Sequence, residues 1–351
     1  MTRKPKVSVV IPTFKRAHLI RHVFEGLKKQ TYRDFEVVVV LKPSGDGTQG
    51  IVEKYRNFLD INLVLQNKGY VVDAMNLGLE YSSGDIIAFL DDDAIPLPGW
   101  IKNHLESYAT SNVGGVAGNV IPAIFKGENA IPVKDNLSDI IPNEKYFLDS
   151  TGRKVWNPPL EGLEDFLVYV SKAGSVEYNS SMSHLAWCQT TKSLLGMGCN
   201  MSVLSEAVKD FRFPNSWILG LANEQFLGWY IWKKGYNLMF NPKARVYHLI
   251  HNQTLTRGVK EMKKETLRWI EYNLLFYRLH DFEGDLSNMH RIVWLIFSLL
   301  DDTKKLCWDR EISRFARMKS KFYSEIIGLK WLLSRKLKVH YSPLIDLEKF
   351  V

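Results

Sequence analysis

Three consecutive carboxylates, Asp91-Asp92-Asp93, close the apolar run Asp85–Leu90 (DIIAFL). Adjacent carboxylates repel one another, at a cost unless positive charge sits among them. Hard divalent cations such as Mg2+ and Mn2+ take carboxylate oxygens and often bridge them to phosphates. A solvated acidic turn would carry the same letters. The buried strand before the triplet, and Pro96-Leu97-Pro98-Gly99-Trp100 after it, favour a cation site at a sheet's carboxyl edge.

The elements around the triplet predict how it is positioned. Val7–Ile11 reads as a strand, and 17–30 as a helix with Leu19, Ile20, Val23, Phe24 and Leu27 on one face. Phe35–Leu41 (FEVVVVL) is a continuous apolar strand, the pattern of a strand covered on both faces. The loop PSGDGT leads to a helix near Thr48; Leu63–Leu65 is a short strand, and 71–82 a helix. Such β–α units in series predict a parallel, doubly wound sheet, with ligands at the carboxyl ends of its strands. The loops after Ile11, Leu41 and Leu90 then face one site. Residues 121–185 read as an irregular excursion over that site. Strand and helix signals resume at Gly198–Phe211 and Asn223–Lys234, a strand Leu238–Tyr247 ends in His248, and 259–335 reads as helical.

The segments VSVVIPTFKR, VVVVLKPSGDGT and DAMNLGLEYSSGDIIAFLDDDA, in that order, resemble the start of a family 2 glycosyltransferase of the GT-A fold. Gly198-Cys199-Asn200-Met201-Ser202 is similar to the family's segment before its acceptor helix. Asn223-Glu224 stands where the family carries Glu-Asp, and NPKARVYH, ending in His248, resembles its closing strand. The resemblance covers residues 7–250. It implies an α/β GT-A fold, a Rossmann-like, mostly parallel doubly wound sheet with a helical C-terminal extension. The catalytic domain would be 1–258, divided into a nucleotide-sugar half (1–120) and an acceptor half (121–258), followed by a basic helical region, 259–351.

By the same resemblance the chain would be a metal-dependent, inverting transferase. Gln253 and Arg257 depart from the Gln-x-x-Arg-Trp motif of processive synthases, with spacing one longer and Gly258 in place of Trp, and with no membrane helices this argues for a non-processive enzyme. It would move a sugar from a nucleotide-diphosphate donor to a hydroxyl of a glycan or lipid-linked acceptor. Pro12, Thr13 and Phe14 would lie against base and ribose. Asp91 and Asp92 would hold the donor, with Asp92 on the ribose, while Asp93 and His248 would hold Mn2+ or Mg2+. Glu224 would be the general base. Gly198, Asn200 and Asn223 would lie on the acceptor side. Asn76 would support the triplet, and Arg257 would contact the diphosphate.

The base pocket departs from the family pattern. Only Asp46-Gly47-Thr48 match, and Leu41 replaces an acidic residue, so the base would be read by backbone groups or by Asp73, or it is not uracil. Lys15 and Arg16 could assist with phosphate. The Leu41 and Asn223-Glu224 departures also motivate an alternative, a non-catalytic glycan- or partner-binding member of the same fold. A sugar-1-phosphate nucleotidyltransferase is excluded, because no Gly-rich phosphate loop follows the first strand.

Composition bounds the rest. With 351 residues, 46% hydrophobic and 24% charged, the chain is globular rather than disordered or collagen-like. Three cysteines give no disulfide framework and predict a reducing compartment, with a Cys188–Cys199 pair left open. No secretory signal is visible, and Ile292–Leu300 falls short of the about 20 residues a membrane helix needs. The expected place is cytoplasmic, with peripheral attachment to the cytoplasmic membrane face. The net charge of +8 is local: residues 303–340 hold eleven Lys and Arg against Asp309, Glu311 and Glu325. Apolar side chains such as Phe315, Phe322, Ile326 and Trp331 run between them. A basic amphipathic helix of this kind suits an anionic membrane surface, or it packs on the catalytic domain or a second subunit. Nucleic acid ranks last, since no recognition motif accompanies the charge.

Overall fold

A computed structural model of the chain describes residues 6–133, 157–179, 182, 188–251, 262–280, 286–306 and 312–351. The first elements alternate: β1 (Val7–Thr13), α1 (Ala17–Lys28), β2 (Phe35–Leu41), α2 (Thr48–Tyr55), β3 (Ile61–Leu65), α3 (Val71–Tyr81) and β4 (Ile86–Leu90). β1 pairs in parallel with both β2 and β4, and β2 with β3. Val37, Val38, Val39 and Val40 are all fully buried, so both faces of β2 are covered.

After β4 come β5 (Ala94–Pro96), α4 (Trp100–Ser107), β6 (Val113–Lys126), β7 (Asn129–Pro132), β8 (Val168–Val170), β9 (Val176–Tyr178) and β10 (Thr191–Lys192). Then follow β11 (Asn200–Leu204), α5 (Ser205–Val208), α6 (Asn223–Lys233) and β12 (Asn237–Leu249). The sheet order is β10-β12-β6-β11-β4-β1-β2-β3, with β5 on β12 and β7 on β6. β11 is antiparallel between β4 and β6, while β12 is parallel to β6. The result is the expected GT-A arrangement, a mixed, mostly parallel sheet.

The irregular excursion expected over 121–185 is partly regular. β6 continues to Lys126 and turns into β7, and β8 pairs with β9. The misreading has a physical cause: Pro122 and Pro132 interrupt β6 and β7, and β8 and β9 have three residues each, too few to show a strand period. Ahead of that stretch β6 holds Gly114, Gly115 and Gly118. Each sits where a Cβ would lie under 3 Å from a neighbour, respectively the Ile231 and Tyr236 side chains, Leu238, and the Ala244 carbonyl.

The C-terminal part is helical: α7 (Met262–Asn273), α8 (Leu275–His280), α9 (Asn288–Leu306), α10 (Ile312–Lys336) and α11 (Leu344–Leu347). Leu267, Ile270, Leu274 and Phe276 form a second core with Ile327, Trp331 and Leu347, and that core reaches Ile218 just ahead of α6. Among the described residues no helix is long and apolar enough to cross a membrane.

Candidate active site

The triplet leaves the carboxyl end of β4 in a tight turn, closed by the Ala94 amide donating to the Asp91 carbonyl (3.1 Å). β5 then pairs with the end of β12, setting Ala94 opposite His248. The Leu249 amide donates to the Asp93 carbonyl (3.0 Å). Two histidines from the end of β12 are thereby brought onto one carboxylate. His248 Nε2 is 3.2 Å from Asp93 Oδ1, and His251 Nε2 is 2.8 Å from Oδ2. Burial pushes the Asp93 carboxyl up, but the two imidazoles outweigh it and hold the group well below the usual carboxylate range. Asp91 and Asp92 go the other way, raised first by burial and then by the charge on Asp93. Arg16 tempers that repulsion: its Nε is 3.4 Å from Asp92 Oδ1, and both residues are buried.

The donor set fits a divalent cation. Asp91, Cys199 and His248 each offer one ligand atom, and these atoms lie within 4.8 Å of one another, a spread that one ion can bridge. Asp93 Oδ1 is buried, and its contact with His248 is an ion pair rather than a well-formed hydrogen bond, so the oxygen keeps a lone pair that a cation could take. The sequence reading named Asp93 and His248 and missed Cys199 and His251. His251 was signalled by the spacing HLIH at a strand end. Cys199 had no signal, because only the pairing of β11 beside β4 brings it to Asp91. Cys188 is exposed and Cys199 buried, each as a thiol, so the disulfide left open above does not form.

Glu224 lies in the first turn of α6. Burial pushes its carboxyl up to about 7; its own amide, the Gln225 side chain and the Gly198 amide pull against that shift, and the charge on Asp91 adds to it. Glu224 thus lies near enough to Asp91 for the two charges to interact. Two left-handed residues, Gly220 (φ 78) and Ala222 (φ 63), shape the entry to α6, and the second is unusual for a side chain with a Cβ. The turn is held from the C-terminal helices. The buried Glu271 carboxylate accepts the amides of Ile218, Leu219 and Leu221. Arg278, also fully buried, donates to the Ser216 carbonyl and stacks 3.8 Å over Trp217. Gln225 Nε2 donates to the carbonyls of Leu195 and Gly196, tying α6 to the strand-like segment that ends at Gly198.

Other sequence-derived residues have different surroundings from those expected. Asn200 is fully buried and makes four bonds inside the fold, accepting from Trp100 and His104 and donating to the carbonyls of Asn119 and Ala244. It is a structural residue rather than an acceptor contact, because α4 and β12 close over it. Asn76 does not reach the triplet: both ends of its amide bond the backbone of Phe213. Asp73 accepts the Tyr70 amide (2.7 Å) as part of a capping box, so it is engaged at the start of α3 rather than at a base. Asp46 accepts from Ser44, Thr48 and the Ala17 amide, joining the loops after β1 and β2. Burial pushes the Asp46 carboxyl up, but these bonds bring it down to about 2.

Phe14 is half-exposed, with the Lys15 and Lys42 ammonium groups 5.1 and 5.6 Å from its ring centre. Thr13 is buried at the end of β1, and Pro12 is partly buried beside it. Leu41 is buried, as its place in β2 dictates. Asn223 is buried against Met75 Sδ (3.5 Å), and Gly198 backs onto Glu224. Arg257 lies outside the described residues.

Comparisons with known proteins agree with the fold. A family model described as glycosyl transferase family 2 matches residues 8–162. The chain is 33% identical over 180 residues to the UDP-Glc:alpha-D-GlcNAc-diphosphoundecaprenol beta-1,3-glucosyltransferase WfgD of Escherichia coli, covering 47% of this chain and 68% of that one. It is 29% identical over 229 residues to validoxylamine A glucosyltransferase of Streptomyces hygroscopicus subsp. jinggangensis, covering 64% and 49%. The chain spans under half the length of several curated relatives that it matches. The solved mannosyltransferase PcManGT from Pyrobaculum calidifontis, in complex with GDP-Man and Mn2+, superposes with a TM-score of 0.55 at 17% identity. That match covers 93% of this chain and 88% of the other, and at such identity it speaks for the fold alone.

Proposed function

The chain belongs to glycosyl transferase family 2, and from that membership we propose that it catalyses inverting transfer of a sugar from a nucleotide-diphosphate donor to an acceptor hydroxyl. The observation that carries this reading is the placement of Glu224 against Gly198, next to the Asp91, Cys199 and His248 cluster, where burial and the charge on Asp91 raise its carboxyl to about 7. A carboxylate with that affinity for protons is matched to taking one from a hydroxyl near neutral pH.

The transfer is a single displacement. The acceptor oxygen forms a bond to the anomeric carbon, and the bond from that carbon to the diphosphate oxygen breaks. Glu224 takes the hydroxyl proton, and the electron pair leaves with the diphosphate. Asp91, Asp93 and His248 would hold Mn2+ or Mg2+, with Cys199 at the edge of the same set. When bound, the cation supplies Lewis-acid stabilisation of the leaving diphosphate. His251 fixes Asp93, and Arg16 balances Asp92 so that the triplet stays folded towards the cleft. Phe14, between Lys15 and Lys42, offers a ring face at the base side.

The relatives bear on donor and acceptor. WfgD is named for UDP-Glc and a diphosphoundecaprenol-linked acceptor, and the PcManGT complex holds GDP-Man and Mn2+. The reading for this chain is a nucleotide sugar donor and a glycan or lipid-linked acceptor, met at a cytoplasmic membrane face. The test is a panel of UDP-, GDP- and dTDP-sugars with Mn2+, Mg2+ or chelator, scored by release of nucleoside diphosphate. Transfer from one donor that stops with chelator and in Glu224→Gln supports the reading. Release that persists in Glu224→Gln removes the base from it.

A further inference from the structure

The α9–α10 pair exposes more apolar surface than its packing uses. On α10, Phe315, Phe322, Ile326, Leu329 and Leu333 recur at helical spacing, so they form one stripe, and each is more than half exposed. The opposite face of the same helix is buried through Ala316, Ile327 and Trp331. Met289, Ile292 and Ile296 form a second stripe on α9, likewise more than half exposed. The two helices lie antiparallel, joined by Arg291 with Glu325 and by Lys321 Nζ donating to the Ser298 carbonyl (2.9 Å). Exposed apolar stripes of this length are a mark of an interaction site. By helical position the exposed Lys319 and Lys336 border the α10 stripe on opposite sides.

We infer that this face docks on an anionic membrane surface, with α10 lying in the headgroup plane. The inference goes beyond the reaction proposed above and does not need it. An apolar stripe bordered by lysines is the pattern of an interfacial helix, and no described helix can span a bilayer. Charge separates this occupant from a second copy of the chain. Two copies would bring like-charged borders of a segment carrying +8 against each other. Anionic lipids attract the same borders, and each lysine near such a surface strengthens binding by roughly fivefold.

The test is flotation of the full chain with vesicles of phosphatidylcholine alone or mixed with phosphatidylglycerol, at low and high salt. The expected result is recovery with the anionic vesicles, weakened by salt and lost in the triple variant Ile326→Glu, Leu329→Glu, Leu333→Glu. Lys319→Gln with Lys336→Gln, which leaves the apolar stripe intact, should weaken binding by roughly 25-fold. Circular dichroism and thermal unfolding confirm that each variant folds, and the lysine variant decides the matter if the glutamate variant does not. Recovery independent of lipid charge, or none at all, overturns the inference. So does light scattering that shows a dimer converted to monomer by the glutamate variant, which would assign the face to a second copy. Calorimetry with nucleotide sugars reads the donor site separately, so failure at the membrane leaves the proposed reaction standing.

Discussion

His251 Nε2 lies 2.8 Å from Asp93 Oδ2, on the opposite side of the carboxylate from His248. One carboxylate is thus gripped from both sides by histidines three positions apart, at the end of β12. Partners of this kind orient a metal-binding carboxylate, and their loss commonly costs about 10–100-fold in affinity. We expect His251→Ala to weaken Mn2+ binding within that range, measured by calorimetry with a nucleoside diphosphate present, and His248→Ala to weaken it more. Equal affinities in wild type and His251→Ala would show that the contact does not orient the site.

Glu224 gives two linked expectations. As the base it must be ionised, so kcat/KM should rise as pH increases through about 7. Glu224→Gln should lower kcat by roughly 100- to 10,000-fold while leaving donor affinity near the wild-type value. Stability runs in the opposite direction. Burial raises the folded-state affinity for the proton, so the stabilisation from this group is complete at acid pH and is lost as pH rises through about 7. Glu224→Gln should therefore be more stable to unfolding than wild type above pH 7, by about 3 kcal/mol, and match it near pH 4. An unchanged difference between the two across that pH range would contradict the assignment.

The Glu271–Arg278 pair anchors the turn ahead of α6 from the C-terminal helices. Removing one member of a buried charged pair leaves the other uncompensated, at a cost of roughly 3–5 kcal/mol. Arg278→Met should destabilise the chain by about that amount in denaturant unfolding. Arg278→Met combined with Glu271→Gln should cost less than the sum of the single changes. Strict additivity would mean that the two groups do not act as a unit.

Gly328 marks the closest approach of α10 to α8. A Cβ there would lie 2.1 to 2.4 Å from ring atoms of Tyr277, whose hydroxyl donates to Glu325. Gly328→Ala should destabilise by about 1–3 kcal/mol, because the ring has to leave its place. Near-UV circular dichroism of the tyrosine environment should change with it. A variant with wild-type stability and spectrum would argue that α10 packs more loosely than described.

The sequence by itself determined the strands β1 to β4 and their order in the chain. Continuous apolar runs such as Phe35–Leu41 can only be strands covered on both faces, and a triplet of carboxylates after such a run must emerge at the sheet's carboxyl edge. It also marked Glu224 and His248 through the family resemblance. What it could not determine was whether a given polar side chain faces the cleft or the fold. Asn76 meets Phe213 from 137 positions away, and Asn200 meets Trp100 from 100. Cys199 joins Asp91 and His248 only because β11 inserts antiparallel beside β4. Asp73 and Asp46 are taken up by local caps and turns, which satisfy a carboxylate as well as a ligand would. A buried polar group bonds whatever donor or acceptor packing brings to it, and most of those partners are distant in the chain, so only the tertiary structure decided which residues were left to face the cleft.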